Sequence, residues 1–293
     1  MRNNIPVTNI YDIVDEVHEI LLARSQNPEL PITSLPSLNK KIWGLRRARL
    51  TIIGARPSHG KSAFALQIAI DQAKQNKAVL YLSLEMTKDE IIERLICNNQ
   101  HIDNFQLLIG NAKDYEIQIS DFKNDIRELR LAVSDCIGKT WEEINDYLEN
   151  LTVKPDVVIL DYLQAVKKSS RIEKDSLDEY IRNFREMAIR NNFAGILCSQ
   201  INRSTSDPNQ KDKNPQLHQL KGTGVLEEHA DVIILLYWPY KNGGQNINHF
   251  QIEVAKNRNG RTGFINLKFT PEFYLFEDVD PQTSTQQNID WQD

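Results

Sequence analysis

The sequence predicts an α/β fold with a mainly parallel central sheet flanked by helices. From Leu50 onward, short apolar runs of strand length alternate with longer amphipathic runs of helix length. This alternation is typical of βαβ units, in which each helix returns the chain to the start of a parallel strand. The chain has 293 residues, a length that fits one large α/β domain with an appendage, or two small domains.

The first predicted element is an amphipathic helix over residues 9–25, where apolar residues recur at helical spacing among acidic ones. Ser25–Pro36 contains three prolines and little periodicity, so it is predicted to be a linker. We therefore expect three regions. They are an amphipathic helix and linker over residues 1–36, the α/β domain over residues 37–280, and a disordered polar tail over residues 281–293.

The α/β domain itself is predicted from eight apolar runs of strand length. These runs are Leu50–Ile53, Ala78–Ser83, Leu131–Val133, Val157–Leu160, Ile196–Ser199, Val232–Tyr237, Phe250–Ala255 and Phe264–Phe269. Helices are predicted over Lys61–Gln75 and from Lys88 onward. Two more are expected to begin at Thr140 and Ser176, because a glutamate three residues after each completes a capping box. Ser204–Gln219, with two prolines and no apolar periodicity, is predicted to be a mobile surface loop.

Composition and charge restrict the class of protein. The net charge of −5 argues against a generally basic nucleic-acid coat, so any DNA contact must come from a local basic surface. Cys97, Cys136 and Cys198 lack metal-type spacing and are predicted to be reduced thiols. The longest apolar run, Val232–Trp238, is too short to span a bilayer, and Met1–Pro6 does not resemble a secretory signal. We expect a cytoplasmic protein without a membrane partner.

The strongest motif is a small residue, four others, then Gly-Lys-Ser, placed between a predicted strand and a predicted helix. Its members, all candidates for nucleotide binding, are Ala55, Arg56, Pro57, Ser58, His59, Gly60, Lys61 and Ser62. Gly60 lets the backbone approach phosphate oxygens, Lys61 supplies a positive charge for the β- and γ-phosphates, and Ser62 can bind Mg²⁺. Ala55 stands where such loops usually have glycine, but this position mainly requires a small side chain. An accidental turn before a helix is the alternative.

Two carboxylates complete the predicted site. Asp161 ends the apolar run Val157–Leu160, as does the strand that brings an acid to the Mg²⁺ of a phosphate site. Glu85 follows the run that ends at Ser83, and we expect its strand to finish beside the phosphate loop. Glu85 is therefore a candidate to orient or deprotonate the attacking water. A strand-end Asp161 and a surface Glu85 opening the next helix are the structural alternatives.

Five motifs in order resemble those of DnaB-type replicative helicases. They are ARPSHGKS at residues 55–62, SLEM at 83–86, DYLQ at 161–164, SQINR at 199–203 and KNRNG at 256–260. The resemblance covers roughly residues 38 to 278 and implies a RecA-like P-loop NTPase fold, with ATP and Mg²⁺ as cofactors. It also implies a homo-oligomeric ring, usually a hexamer, with ATP between subunits and single-stranded DNA in the central channel.

The same resemblance implies roles for individual residues. Glu85 resembles the catalytic base, Asp161 the acid of the metal site, and Gln200 the sensor that links the γ-phosphate to the DNA loops. Lys256 and Arg258 resemble the pair of cations that reaches the γ-phosphate of the adjacent subunit. The alternative for that pair is an ordinary basic hairpin before Asn259 and Gly260.

DNA contacts are expected from two loops. The first contains Lys221, Gly222, Thr223 and Gly224, where the family has its principal DNA loop. Gly222 stands where the family commonly has an acid, and Lys221 where it commonly has an arginine. Lys167, Lys168 and Arg171 form the second candidate, for which a solvated charge cluster is the alternative. Both loops lack aromatic residues, which favours phosphate tracking over base reading.

The N-terminus departs most from the family, whose members usually carry a helical, primase-binding domain of about a hundred residues. Here only the amphipathic helix is expected, and it resembles the linker helix that packs on a neighbouring subunit. Val14, Val17 and Leu21 would then be buried against another protomer, with packing on their own domain as the alternative. A helicase loader or a primase is a candidate partner.

The function implied by this resemblance is ATP-dependent, 5′-to-3′ movement on single-stranded DNA with unwinding of duplex DNA during replication. Two alternatives stay open. One is a RecA/KaiC-like, DNA-stimulated ATPase that does not unwind, and the other is a helicase-like loader or assembly factor.

Overall fold

A computed structural model of the protein describes residues 10–26, 33–167, 177–201, 215 and 223–279. The predicted tail and almost all of the predicted loop Ser204–Gln219 lie outside the described residues. The chain divides into two compact units, Met1–Leu30 and Pro31–Asp293. The boundaries predicted for the linker and for the α/β domain therefore stay predictions, since they differ from this division only within an undescribed stretch.

The first unit contains one described helix, α1 (Ile10–Gln26). Apolar side chains on this helix are exposed: the exposed fraction is 55% for Val14, 45% for Val17 and 51% for Leu21. A row of exposed apolar side chains on a helix commonly marks a surface that a partner covers.

The second unit is an α/β domain built on one nine-stranded sheet. Its strands are β1 (Arg49–Ala55), β2 (Val79–Ser83), β3 (Leu131–Asp135), β4 (Val157–Asp161), β5 (Ala194–Gln200), β6 (Val232–Tyr237), β7 (His249–Asn257), β8 (Gly263–Thr270) and β9 (Leu275–Asp278). The strand order is β3-β2-β4-β5-β1-β6-β7-β8-β9. Neighbours from β3 to β6 pair in parallel, and β6 to β9 pair antiparallel.

The described helices of this domain vary from five to fourteen residues. They are α2 (Pro36–Ile42), α3 (Lys61–Lys74), α4 (Lys88–Gln100), α5 (Asn104–Leu108), α6 (Glu116–Asp125), α7 (Trp141–Glu149), α8 (Leu177–Arg190) and α9 (Thr223–His229). The capping box at Thr140 is confirmed, because Glu143 donates its backbone N–H to the Thr140 side chain and accepts from the Thr140 backbone N–H. Ser176 lies outside the described residues.

The helices cover both faces of the sheet, which explains why its central strands are apolar throughout. On β1, Ile53 and Ala55 face a core shared with α2, α3 and α4, whereas Leu50 and Ile52 face a core shared with α7, α8 and α9. A strand buried on both faces loses the alternation of polar and apolar residues. The predicted mixed α/β fold with a mainly parallel sheet is confirmed.

All eight predicted strands occur, most of them one or two residues longer at an end than predicted. The ninth strand, β9, has only four residues and was not predicted. The short helices α2, α5, α6 and α9 were also missed, because segments of five to ten residues present too few turns for a helical period to stand out.

Close packing between β5 and α8 requires a glycine. A Cβ atom at Gly195 would lie 2.8 Å from Cε1 of Phe184 and 3.6 Å from Cβ of Ala188. The Phe184 ring is fully buried between Trp141 and Phe193, with ring centroids 6.4 and 5.8 Å away. The ring therefore has little room to retreat.

We predict that Gly195→Ala lowers the free energy of unfolding by about 1–3 kcal/mol, the usual cost of overpacking a well-packed core. Urea denaturation measures this change. Gly224→Ala is the matched control, because nothing lies within 4 Å of its added Cβ and Gly224 is helical. This control should be neutral or slightly stabilising. Equal destabilisation by both substitutions would contradict the packing argument.

Candidate functional site

A cleft of about 380 Å³ opens at the carboxyl edge of the parallel strands, where ligands of open α/β sheets bind. Seven of the eight residues of the predicted phosphate loop line it. The remaining lining residues are Ala63, Glu85, Met86, Glu90, Arg94, Tyr162 and Gln200. Residues from four separate parts of the sequence thus meet in one place.

The phosphate loop connects β1 to α3. Gly60 precedes the first residue of α3 with a φ of 75°, a left-handed conformation that favours glycine. A Cβ atom at Gly60 would also lie 3.1 Å from Cζ of Phe276. The start of α3 carries no side-chain cap, so its first backbone N–H groups are oriented to bind an anion. The loop therefore fits phosphate groups.

Lys61 and Asp161 form an ion pair inside the site. Asp161 is 2% exposed. Burial alone would raise its pKa, but the charge of Lys61 and hydrogen bonds from Lys61, Ser62 and Tyr81 hold the pKa below its usual value. Burial would likewise lower the pKa of Lys61, but Asp161 raises it above the usual value. Both groups are charged at neutral pH.

Tyr81 on β2 supports the carboxylate from the neighbouring strand. Its hydroxyl donates to Oδ2 of Asp161 at 2.7 Å. Burial, followed by the nearby charge of Asp161, raises the pKa of Tyr81 well above its usual value. The hydroxyl therefore remains a hydrogen-bond donor. Sequence reasoning missed this residue, because nothing in an apolar strand indicates which side chain has a polar partner.

Glu85 lies in the turn after β2, and its exposed side chain lines the cleft. Ser83 fixes this turn, since its hydroxyl accepts from the Met86 N–H at 3.0 Å and donates to the Met86 carbonyl at 2.6 Å. The prediction that the strand of Glu85 finishes beside the phosphate loop was wrong, because β4 and β5 separate β2 from β1. Glu85 still reaches the cleft because all these strands end at the same edge.

Gln200 lies at the end of β5 and lines the cleft. Its backbone N–H donates to Oε1 of Gln164 at 3.0 Å, and Nε2 of Gln164 donates to the Ser199 hydroxyl at 2.8 Å. The last residue of DYLQ therefore holds the first two residues of SQINR. The two motifs act as one structural unit.

Three further residues line the cleft without having been predicted: Arg94 and Glu90 on α4, and Tyr162 after β4. The Tyr162 ring lies 4.6 Å from Nζ of Lys61, within the range of a cation–π contact. Arg94 and Glu90 are four residues apart on one helix, so they share a face. The helical spacing from Glu85 onward was the available signal for them.

Other predicted residues lie elsewhere. The His59 side chain is 3% exposed and does not line the cleft; its Nδ1 accepts from the Trp238 backbone N–H at 3.0 Å. Lys256 and Arg258, at the end of β7 and just beyond it, are also absent from the lining of the cleft.

The predicted DNA-binding residues are only partly described. Thr223 and Gly224 belong to the first turn of α9, so the predicted loop is helical at these two positions. Gly224 is exposed, and so is Lys167. The remaining candidates lie outside the described residues; they are Lys168, Arg171, Lys221 and Gly222.

A phosphate loop between β1 and α3, with Lys61 paired to the acid at the end of β4, defines the class of P-loop NTPases. Residues 32–278 match the model of the DnaB-like helicase C terminal domain. The chain therefore belongs to this family, and its membership implies nucleotide binding.

Similar proteins agree with the assignment. The chain is 28% identical to a probable replicative DNA helicase of Trieres chinensis and 27% identical to the replicative DNA helicase DnaC of Bacillus subtilis (strain 168). These matches cover 95% of this chain in both cases, but 65% and 64% of the two relatives. The chain thus spans somewhat less than two thirds of their length.

Two solved structures are similar. One is an ATPase domain solved by itself, which superposes with a TM-score of 0.76 at 27% identity and covers 91% of this chain and 99% of that one. A DnaB-like replicative helicase, solved in a study of its interactions with primase, gives a TM-score of 0.78 at 26% identity. It covers 95% of this chain and 68% of that one. In the parts of the chain that the structure describes, every helix is too short or too polar to cross a membrane.

We predict that Tyr81→Phe lowers the free energy of unfolding by about 1.5–3 kcal/mol at neutral pH, the usual worth of a hydrogen bond to a charged group. The hydroxyl stabilises ionised Asp161. Its contribution is therefore present above the unfolded pKa of the carboxyl and is lost as the pH falls through the lowered pKa of Asp161.

Urea denaturation at several pH values measures the effect of Tyr81→Phe. Tyr240→Phe, at an exposed tyrosine, is the matched control and should be neutral. A deficit of Tyr81→Phe that stays constant in acid would show that the lost hydroxyl does not act through the Asp161 charge.

Proposed function

We propose that this chain is the motor of a replicative DNA helicase, which hydrolyses ATP to move 5′ to 3′ on single-stranded DNA and to separate duplex DNA. One observation carries the proposal: the cleft gathers Lys61, Glu85 and Gln200 at one edge of the sheet, with Asp161 directly behind Lys61. The printed names of the relatives, replicative DNA helicases, support the choice among P-loop motors.

The residues of the cleft fit ATP and Mg²⁺. The N–H groups at the start of α3 and the Lys61 ammonium would bind the phosphates, and Ser62 and Asp161 would hold Mg²⁺. A bound Mg²⁺ ion neutralises phosphate charge. Asp161 suits this task because its pKa is held low, which keeps it ionised and able to bind a cation. Lys61 would exchange its partner Asp161 for phosphate oxygens.

Hydrolysis requires a group that orients the attacking water. Glu85 has the geometry for this task, because its turn is fixed by Ser83 and its side chain is directed into the cleft. Gln200, held by Gln164, would sense the γ-phosphate from the opposite wall. The cleft lacks Lys256 and Arg258 of its own subunit, so these cations would act on the nucleotide of a neighbouring subunit.

DNA would be bound by residues at the start of α9 and after DYLQ. The first group is Lys221, Gly222, Thr223 and Gly224, and the second is Lys167, Lys168 and Arg171. Contacts of this kind to phosphates are independent of base sequence, as translocation requires. The primase named with a structural neighbour makes a primase a candidate partner of this chain also, and a helicase loader is another. A DNA-stimulated ATPase that does not unwind is the second candidate function.

Assembly into a ring, usually of six copies, would use α1. Its exposed apolar residues need a complementary apolar surface. The α/β domain offers one on α5 and α6, where Phe105 is 57%, Leu108 73% and Ile117 75% exposed. We propose that α1 of one copy packs on this surface of another.

We predict that single-stranded DNA stimulates ATP hydrolysis and that a fork with a 5′ single-stranded tail is unwound. Glu85→Gln should keep ATP binding but reduce turnover at least about a hundredfold, within the range that general-base catalysis contributes. Nucleotide binding, steady-state ATP hydrolysis and strand separation are the measurements. Glu93→Gln is the matched control on α4 and should retain activity, since Glu93 does not line the cleft.

The outcomes separate the alternatives. Stimulation by DNA without strand separation would favour the non-unwinding ATPase. Nucleotide binding without any turnover in the unaltered protein would favour a loader or assembly factor. Continued hydrolysis in Glu85→Gln would remove Glu85 from its role.

We predict that Val17→Asp on α1 and Leu108→Asp on α5 each shift the protein from rings toward monomers, because each places a charge in an apolar contact. Native mass spectrometry with ATP and Mg²⁺ measures this shift. His18→Asp is the matched control for α1, at the neighbouring exposed position. Rings that persist in Val17→Asp would show that α1 does not join subunits.

A further inference from the structure

Lys256 and Arg258 are held within their own subunit by the end of α9. Nζ of Lys256 donates to the carbonyl oxygen of Glu227. Nη2 of Arg258 donates to the carbonyl oxygen of Glu228 at 2.5 Å. These carbonyls belong to the last turn of α9, where a helix presents unpaired acceptors and the negative end of its dipole. Two cations therefore share one helix C-terminus.

A carboxylate completes this seat, which we define as Asp231 with the carbonyl groups of Glu227 and Glu228. Oδ1 of Asp231 lies 3.5 Å from Nη1 of Arg258, and the Asp231 backbone oxygen accepts the Arg258 N–H at 2.9 Å. Asp231 is itself fixed, since it is 2% exposed and its Oδ2 accepts from the Leu50 N–H at 3.0 Å. Oδ1 also contacts Arg49, at 3.2 Å.

A β-bulge explains why both cations point to the seat. Lys256 pairs with Ile233 but Val254 pairs with Ile234, so Ala255 is an extra residue in β7. An extra residue shifts the alternation of side chains by one position. Lys256 is thereby directed to the face of α9 rather than into the core that holds Val254.

The residues after the bulge alternate as expected. The Asn257 side chain donates to the Lys41 carbonyl of α2, on the opposite face of the sheet, at 3.0 Å. Arg258 then returns to the face of α9. The pair of cations thus stands on one face because of a single inserted residue.

The seat also explains an electrostatic feature of the pair. Burial, followed by the charge of Arg258, lowers the pKa of Lys256. Two neighbouring cations repel one another, so acceptors that fix both side chains also offset that repulsion. Without the seat, the pair would have reason to separate.

We propose that Asp231 and the last two carbonyl groups of α9 position Lys256 and Arg258 for their action on a neighbouring subunit. This inference rests on the proposed function of the pair. Since α9 begins at Thr223, directly after Lys221 and Gly222, a displacement of α9 by bound DNA would be passed to the pair. Binding of DNA by one subunit thereby adjusts hydrolysis in the next.

A double-mutant cycle on the full chain tests the positioning role of Asp231. Asp231→Asn keeps an oxygen for the Leu50 N–H but loses the charge that faces Arg258. We expect the kcat of ATP hydrolysis in assembled rings to fall about ten- to a hundredfold, since a misplacement of about 1 Å has such an effect. The KM for ATP should not change, because the nucleotide-binding residues of the subunit are untouched.

The decisive comparison is with Arg258→Ala. Asp231→Asn combined with Arg258→Ala should have the kcat of Arg258→Ala alone, because a positioning residue has no effect without its target. Arg49→Met is the matched control: it removes the other cation from Oδ1 of Asp231 and should leave kcat within about twofold, as for an exposed ion pair.

Failure of this inference can be told from failure of the proposed function. If Arg258→Ala lowers kcat but the two substitutions multiply, or Arg49→Met reproduces Asp231→Asn, Asp231 has no positioning role. An unchanged kcat in Asp231→Asn overturns the inference in the same way. If Arg258→Ala itself leaves ring hydrolysis unchanged, the proposed action of Arg258 on the neighbour is wrong, and the inference falls with it.

Discussion

The buried ion pair between Lys61 and Asp161 is the interaction on which the site depends. It joins the start of α3 to the end of β4, two elements that are a hundred residues apart in the chain. A buried charge without its partner is costly, typically about 3–5 kcal/mol when one member of a pair is removed. The pair, with the Tyr81 hydroxyl on the far side of Asp161, therefore fixes the phosphate loop relative to three strands of the sheet.

The parallel half of the sheet gives this pair its surroundings. Helices cover both faces, so the central strands are apolar and polar groups gather at the carboxyl edge, where the strands end. Glu85 and Gln200 reach the cleft from strands that are not adjacent to each other. Their positions depend on short polar contacts, from Ser83 to the turn of Glu85 and from Gln164 to Gln200. The cleft is thus assembled from strand ends that hydrogen bonds fix in place.

The antiparallel half has a different task. It carries Lys256 and Arg258 away from the cleft of its own subunit and holds them against α9. One sheet thereby separates two sets of charged residues, one for a nucleotide in its own cleft and one for a neighbour. The bulge at Ala255 shows how a local irregularity decides which set a residue joins, since a shift of one residue moves a side chain to the other face.

The sequence by itself determined the eight strands, the phosphate loop and the carboxylates Asp161 and Glu85, because these are local patterns of apolar runs, glycine and acid at strand ends. Only the tertiary structure decided the strand order, which places β4 and β5 between β2 and β1. It also decided that Tyr81 serves Asp161, that His59 turns toward Trp238, and that Asp231 faces Arg258. Each of these facts joins residues distant in the chain. Such contacts follow from how buried surfaces fit together, and no local pattern records that fit.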